Sequence, residues 1–393
     1  MTAANQGTHA AARGSGANAM HARHLAGGLF ILGFDGTALN DALAETIRRW
    51  RPAGFILFRR NIGTPAEVAA LCRDLHSLYP ADAPPLISVD QEGGRVARLR
   101  APFTELPPAR LLGRVYARSG SLELVRRAAA VSAAELTAVG INFNYAPVLD
   151  VDSNPANPII GDRAYGGTPA LVSAVARAVI DTYQRHGLMA CGKHFPGHGD
   201  TDADSHLELP VVRRERASLE QSELPPFREA AAAGVAAMMT AHVLYPALDP
   251  DWPATLSRPI LTGLLREEMG FDGLIVTDNM EMRGVWGRWS PAELTRRAVE
   301  AGCDLFIGGG GGLDGRHSQT EIQFQLMETL ARQIDAEEVS VARVEDSLAR
   351  IRKVKASVLS AQPDIDPARV AERIGIAEHR AVAAALREAA AAS

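Results

Sequence analysis

The chain has 393 residues, 47% of them hydrophobic and 5% aromatic, and a formal net charge of −5. That length and apolar share suit one large domain, or two medium ones, with a sizeable core. The slightly negative charge, the absence of a basic stripe and the scarcity of rings for base stacking exclude a nucleic-acid-binding protein, and no apolar run approaches the roughly 18 residues of a membrane span.

The first 23 residues are rich in Ala, Gly, Asn and Thr and carry no acid. They have no apolar stretch of signal-peptide length, so they are expected to form a disordered leader. Eight strand-like apolar runs follow, at 27–33, 54–58, 86–90, 141–150, 189–194, 236–243, 273–278 and 304–308. They are continuous rather than alternating, which is the pattern of a parallel sheet covered by helices. Helical stretches separate most of them. Thr64-Pro65-Ala66-Glu67 and Ser290-Pro291-Ala292-Glu293 each place a cap, a proline at the first helical position and a Glu at the third. Thr168-Pro169 gives the cap and the proline without the acid. Val68, Leu71, Leu75 and Leu78 share one helical face, as do Ile260, Leu261, Leu264, Leu265 and Met269, with Gly270 as the stop. The glycine run 308–312 reads as a flexible connector or, less readily, an anion nest. Beyond residue 360 an Ala-rich helical tail, 361–393, contains no strand.

Eight strand-then-helix units over residues 24–360 point to an α/β fold, a single (β/α)8 barrel, with an open doubly wound sheet as the alternative. No GxGxxG opens the first helix, against a dinucleotide site. Asp90, Asp150, Lys193, His194, His242 and Asp278 fall at or near the carboxyl ends of strands, where barrel chemistry collects. Three cysteines, Cys72, Cys191 and Cys303, stand far apart. They build no disulfide framework, so the expected compartment is the cytoplasm.

Four segments carry the polar chemistry. In Ser88-Val89-Asp90-Gln91-Glu92-Gly93-Gly94-Arg95-Val96-Ala97-Arg98 a strand ends in an acid and a Gly-Gly-Arg turn follows. Asp90 and Arg98 can each make several hydrogen bonds to a polyhydroxylated ligand, or can pair with each other to pin the loop. Gly161-Asp162-Arg163-Ala164-Tyr165-Gly166 is a second polar turn. Lys193-His194-Phe195-Pro196-Gly197-His198-Gly199-Asp200-Thr201-Asp202-Ala203-Asp204-Ser205-His206 packs three His, three Asp and a Lys into one glycine-punctuated loop. It lacks the Gly and Glu of a calcium loop and the HExxH of a zinc site, so no metal or other cofactor is expected. Asp204 and His206 are two residues apart, and an extended loop projects both the same way. The pair then reads as an acid/base dyad or as a polar loop brace, the two equally open. In Phe271-Asp272-Gly273-Leu274-Ile275-Val276-Thr277-Asp278-Asn279-Met280-Glu281 an apolar strand delivers Asp278, as a nucleophile or as a helix cap.

The segments SVDQEGGRVAR, GDRAYG, KHFPGHGDTDADSH and FDGLIVTDNMEM, in that order, resemble the signature blocks of glycoside hydrolase family 3 and, within it, the bacterial β-N-acetylglucosaminidase branch. The resemblance implies a (β/α)8 barrel that removes terminal β-1,4-linked GlcNAc from peptidoglycan turnover products by a retaining mechanism. It implies Asp278 as nucleophile, His206 as acid/base with Asp204 as its partner, and Asp90, Arg98, Arg163, Lys193 and His194 as the residues that hold the sugar. The expected partner is a small sugar or muropeptide substrate, with no nucleic acid or membrane, and the chain is expected to act as a monomer. The alternatives are a β-glucosidase or glycoside phosphorylase of the same family, or a sugar-binding barrel without catalysis.

Overall fold

The computed structural model describes residues 18–201, 205, 208–310, 321–359 and 365–391. The expected leader lies outside the described residues as far as residue 17, and residues 18–27 form a helix. Eight parallel strands close into a barrel: β1 (Phe30–Leu32), β2 (Gly54–Leu57), β3 (Leu86–Val89), β6 (Phe143–Asn144), β7 (Met189–Phe195), β8 (Ala237–Thr240), β9 (Leu274–Asn279) and β10 (Leu305–Ile307). Each lies inside one of the eight predicted runs or overlaps it. Strand β1 pairs with both β2 and β10, which shuts the ring and rules out the open sheet. Two further strands were not anticipated. Gln91–Gly93 (β4) and Val96–Ala97 (β5) form an antiparallel hairpin beyond β3. Its turn needs left-handed backbone at Gly93 (φ 98°) and Gly94 (φ 57°), which glycine adopts without steric cost.

The strands are buried on both sides, as their unbroken apolar runs require. Inside the barrel Phe143 meets Tyr145 edge-on with ring centroids 4.9 Å apart, and on neighbouring strands Phe30 stacks on Phe306 at 5.1 Å. Helices coat the outside. Pro65–Ser77 and Pro291–Ala301 start on the predicted capping boxes, with Thr64 accepting from Glu67 N and Ser290 from Glu293 N. Thr168 precedes the helix Pro169–Arg185 without a side-chain cap bond. Gly270 (φ 67°) follows the helix Pro259–Glu268.

The Ala-rich C-terminal segment is a helix, Ala377–Ala391, packed on the helices Ala109–Ser119 and Glu123–Ala138. Glu135, buried on the last of these, accepts from Gly375 N and pairs with His379 Nδ1, each at 2.8 Å. Among the described residues no helix is long and apolar enough to cross a membrane.

The glycine run after β10 is not a connector over 308–310. A side chain on Gly309 would meet the Gly33 backbone at 2.4 Å, and one on Gly310 would meet Asn279 Nδ2 at 2.0 Å. These glycines let two backbones and a side chain approach closely beside the barrel mouth. Residues 311 and 312 lie outside the described residues.

Candidate active site

The carboxyl ends of the strands surround a cavity of about 270 Å³ whose walls include Asp90, Arg98, Tyr145, Asp278, Glu281 and Met282. Asp278 stands near the end of β9, half-buried, and accepts the Asn279 backbone N–H on Oδ1 at 2.7 Å. The turn beyond it is held by His242, which follows β8. His242 Nε2 bonds the Asn279 carbonyl at 3.0 Å, and Nδ1 bonds Thr255 Oγ1 at 2.7 Å. A carbonyl only accepts, so Nε2 carries a proton. His242 thus supports the backbone around Asp278.

The opposite wall is a network of buried charges. Lys193 on β7 points across the barrel and places Nζ 2.9 Å from Asp90 Oδ1 and 2.6 Å from Glu92 Oε1. Arg163 grips Glu92 with two bonds, from Nε at 2.9 Å and Nη2 at 2.8 Å. Arg98 Nη2 reaches Asp90 Oδ2 at 3.1 Å. Burial by itself would raise the pKa of both acids. Arg163 and Lys193 outweigh it at Glu92, and Lys193 and Arg98 outweigh it at Asp90, so both are held below the ordinary carboxylate range. Asp90 and Glu92 in turn overcome the burial of Lys193 and raise its pKa. The cluster is therefore fully ionised at neutral pH. It presents fixed donors and acceptors of the kind that orient sugar hydroxyls.

A second chain of bonds runs through Asp150, just past β6. His194 donates from its backbone N and from Nδ1 to the two oxygens of Asp150, at 3.1 and 2.7 Å. That leaves the lone pair on Nε2, which faces Arg163 Nη2 at 3.5 Å. His198 donates its backbone N–H to Asp150 Oδ1 at 2.6 Å. Burial, with His194 beside it, lowers the pKa of His198 to about 4, so its ring is neutral. His198 Nε2 in turn meets Ser205 Oγ at 3.2 Å, and Gly284 N donates to Ser205 O at 3.0 Å. Ser205 is thereby fixed between the end of β7 and the loop after β9. Its neighbours Asp204 and His206, the expected dyad, lie outside the described residues.

The predicted sugar-holding residues Asp90, Arg98, Arg163, Lys193 and His194 are brought into one connected set, and Asp90 and Arg98 share the cavity with Asp278. The pairing of Asp90 with Arg98 weighed as the alternative is also present. Three participants had been given no role. Glu92 joins Lys193 to Arg163, and its two-residue spacing from Asp90, which puts both on one face of an extended strand, was a usable signal. Asp150 stood at a strand end, but nothing local shows that it orders two histidines. Tyr145 carries no sequence signal. Among the described residues no group of His, Cys, Asp or Glu is arranged to hold a metal ion.

Residues 25–354 match the glycosyl hydrolase family 3 N terminal domain. The chain is 44% identical over 282 residues, 71% of its own length and 77% of the relative's, to a beta-hexosaminidase from Thiobacillus denitrificans. It is similar in structure to a glycoside hydrolase family 3 beta-N-acetylglucosaminidase from Paenibacillus sp. str. FPU-7, with TM-score 0.84, 38% identity, and 94% of this chain and 68% of that one covered. NagZ from Neisseria gonorrhoeae, in complex with N-trifluoroacetyl-D-glucosamine, superposes with TM-score 0.74 at 29% identity, over 92% of this chain and 98% of that one.

Proposed function

This chain belongs to glycosyl hydrolase family 3 and is a glycoside hydrolase; from that premise we propose that it is a retaining exo-β-N-acetylglucosaminidase acting on peptidoglycan turnover products. The relatives' names support the sugar. The observation that carries the reading is the shared cavity, in which Asp278 faces the ion-paired wall of Asp90 and Arg98.

In the proposed reaction the Asp278 carboxylate attacks the anomeric carbon as His206 gives its proton to the departing glycosidic oxygen. The C1–O bond breaks, the aglycone leaves as an alcohol, and a glycosyl ester forms on Asp278. His206 then takes a proton from water, the water oxygen bonds C1, and the ester bond to Asp278 breaks, so the product keeps the β configuration. General acid/base help of this kind is worth roughly 10²–10⁴-fold in rate. Asp204 would orient the imidazole and support its charged form. Asp90, Arg98, Arg163, Lys193 and His194 would hold the ring, so that orientation precedes the chemistry. For these assignments the support is the match of SVDQEGGRVAR, GDRAYG, KHFPGHGDTDADSH and FDGLIVTDNMEM to the family's blocks.

Two measurements test the reading. Turnover of 4-nitrophenyl β-N-acetylglucosaminide is expected to exceed that of the glucoside greatly; the reverse order would make the enzyme a β-glucosidase. A fluorinated sugar analogue is expected to label Asp278, and Asp278→Ala to abolish turnover. Label on another residue, or appreciable activity in the variant, removes Asp278 from the nucleophile's role.

A further inference from the structure

Asn157 lies between β6 and the turn that carries Arg163, and it is buried. Its side chain bridges two loops. Oδ1 accepts the backbone N–H groups of Ile159 at 2.8 Å and Ile160 at 2.9 Å. Nδ2 lies 2.8 Å from the His198 carbonyl, 3.0 Å from the Gly199 carbonyl and 3.2 Å from Thr201 Oγ1, so its two hydrogens are shared among three acceptors. These partners fix the orientation of the amide, because carbonyls only accept and backbone N–H groups only donate.

On one side the bonds reach the sugar-holding wall. The Ile160 carbonyl accepts from Arg163 N at 2.9 Å in the 3-10 turn Gly161–Arg163, and the Arg163 side chain grips Glu92. On the other side they reach the loop after β7. Thr201 Oγ1 bonds His198 Nδ1 at 2.7 Å, and His198 Nε2 bonds Ser205 Oγ at 3.2 Å. His198, Thr201 and Ser205 are all buried. One buried amide therefore ties the turn that carries Arg163 to the loop that leads to Ser205. An apolar side chain of similar size would fill the space and hold neither loop.

We propose that Asn157 is a positioning residue for the hydrolysis, which keeps the loop bearing His206 in register with the Arg163 turn. This rests on the glycosidase reading above, with His206 as acid/base, and deepens it. Asn157 acts through the backbone it bonds: the sugar is seated from one side of the amide and the proton is delivered from the other. Loss of register then harms proton delivery more than it harms sugar binding. Only a leaving group that needs the proton reports that loss, which a sugar alcohol does and 4-nitrophenolate hardly does.

The test is Asn157→Asp, which keeps an oxygen for Ile159 and Ile160 and removes the donors to residues 198–201. For N,N′-diacetylchitobiose kcat/KM is expected to fall about 100-fold, the scale of a misplaced general acid. For 4-nitrophenyl β-N-acetylglucosaminide it is expected to fall less than about threefold, since little proton transfer is at stake. An equal loss on both substrates would make Asn157 a brace of the fold and overturn the proposal, as would no loss on either. Thr201→Val removes the hydroxyl shared by Asn157 and His198 at nearly constant volume, and is expected to show the same discrimination at about 10-fold. It decides in place of Asn157→Asp should that variant not fold, with a uniform loss or none again overturning the proposal. His206→Ala, measured beside them, separates the two readings. Discrimination in His206→Ala but not in Asn157→Asp overturns this proposal alone. Its absence in His206→Ala, or a wild type that hydrolyses neither substrate, takes both down.

Discussion

Glu92→Gln removes one charge and almost no volume from the centre of the ion-paired wall. In the native protein the Glu92 side chain is 3% exposed, that of Lys193 2% and that of Arg163 11%. A glutamine oxygen can still accept from Lys193 Nζ. Its amide nitrogen then meets a guanidinium donor where a carboxylate oxygen stood. The same glutamine oxygen can still accept from Arg163 Nη2 at 2.8 Å, so Arg163 loses the bond from Nε and, with Lys193, the charge of the carboxylate. Breaking a buried pair from one side typically costs about 3–5 kcal/mol, because the surviving charges are left uncompensated. The sign of the pH dependence follows from the depressed pKa of Glu92. The stabilisation is complete above the ordinary glutamate value of 4.5 and is lost as pH falls through the lower folded value. Urea unfolding at pH 7 should therefore show a lower midpoint for the variant with an unchanged m-value, and the gap should narrow when both proteins are taken below pH 4.5. A loss in kcat/KM should accompany it, since Arg163 and Lys193 lose their fixed positions. A destabilisation below about 1 kcal/mol at pH 7, with activity intact, would refute the argument that Glu92 organises this wall.

Two further outcomes are expected. Gly199→Ala would put a methyl group 1.7 Å from the Val151 carbonyl, so the loop leading to Thr201 and Ser205 must move. Misplacement on the 1 Å scale lowers turnover by about 10²-fold, and steady-state kinetics showing less than a twofold change would sink the idea that this close approach sets the loop's position. Glu223→Gln should stabilise the protein at pH 8 and leave it unchanged near pH 4. Burial raises the carboxyl of Glu223 to about 7, so ionisation in the unfolded chain from the ordinary 4.5 upward costs the wild type up to ~3 kcal/mol. Denaturation midpoints that differ equally at both pH values would contradict it.

The barrel was legible because each strand is a largely apolar run, and several of the runs end in a polar residue. That pattern reports burial on both faces and the position of the mouth at once. Asp90, Lys193 and Asp278 follow from it directly. Partner choice does not. Glu92 and Lys193 are joined only because β3 and β7 lean into one ring, and no local period records a closure across so many residues. The same holds for Asp150, whose histidines are supplied by the next strand. The hairpin Gln91–Gly93 with Val96–Ala97 is too short to alternate, so only its glycines mark it. The run at 308–310 looks flexible by composition, whereas its glycines serve close approach to Gly33 and Asn279. The terminal helix reads as an appendage because its alanines carry little amphipathic signal. What anchors it is Glu135, a single buried acid that lies 240 residues from Gly375 and 244 from His379 in sequence.

The charges also divide between the two sides of the mouth in a way that suits one reaction. On the side of β3, β6 and β7, acids and bases are matched pair by pair, which fixes them before any ligand arrives and keeps Asp90 and Glu92 ionised. A carboxylate so firmly paired is a poor nucleophile, because attack would have to break its contacts with Lys193, Arg98 or Arg163. On the side of β9, Asp278 accepts the Asn279 N–H, and His242 secures the Asn279 carbonyl. The firm pairing of Asp90 thus agrees with the role of hydroxyl holder proposed for it rather than that of nucleophile. The labelling experiment on Asp278 tests that division directly.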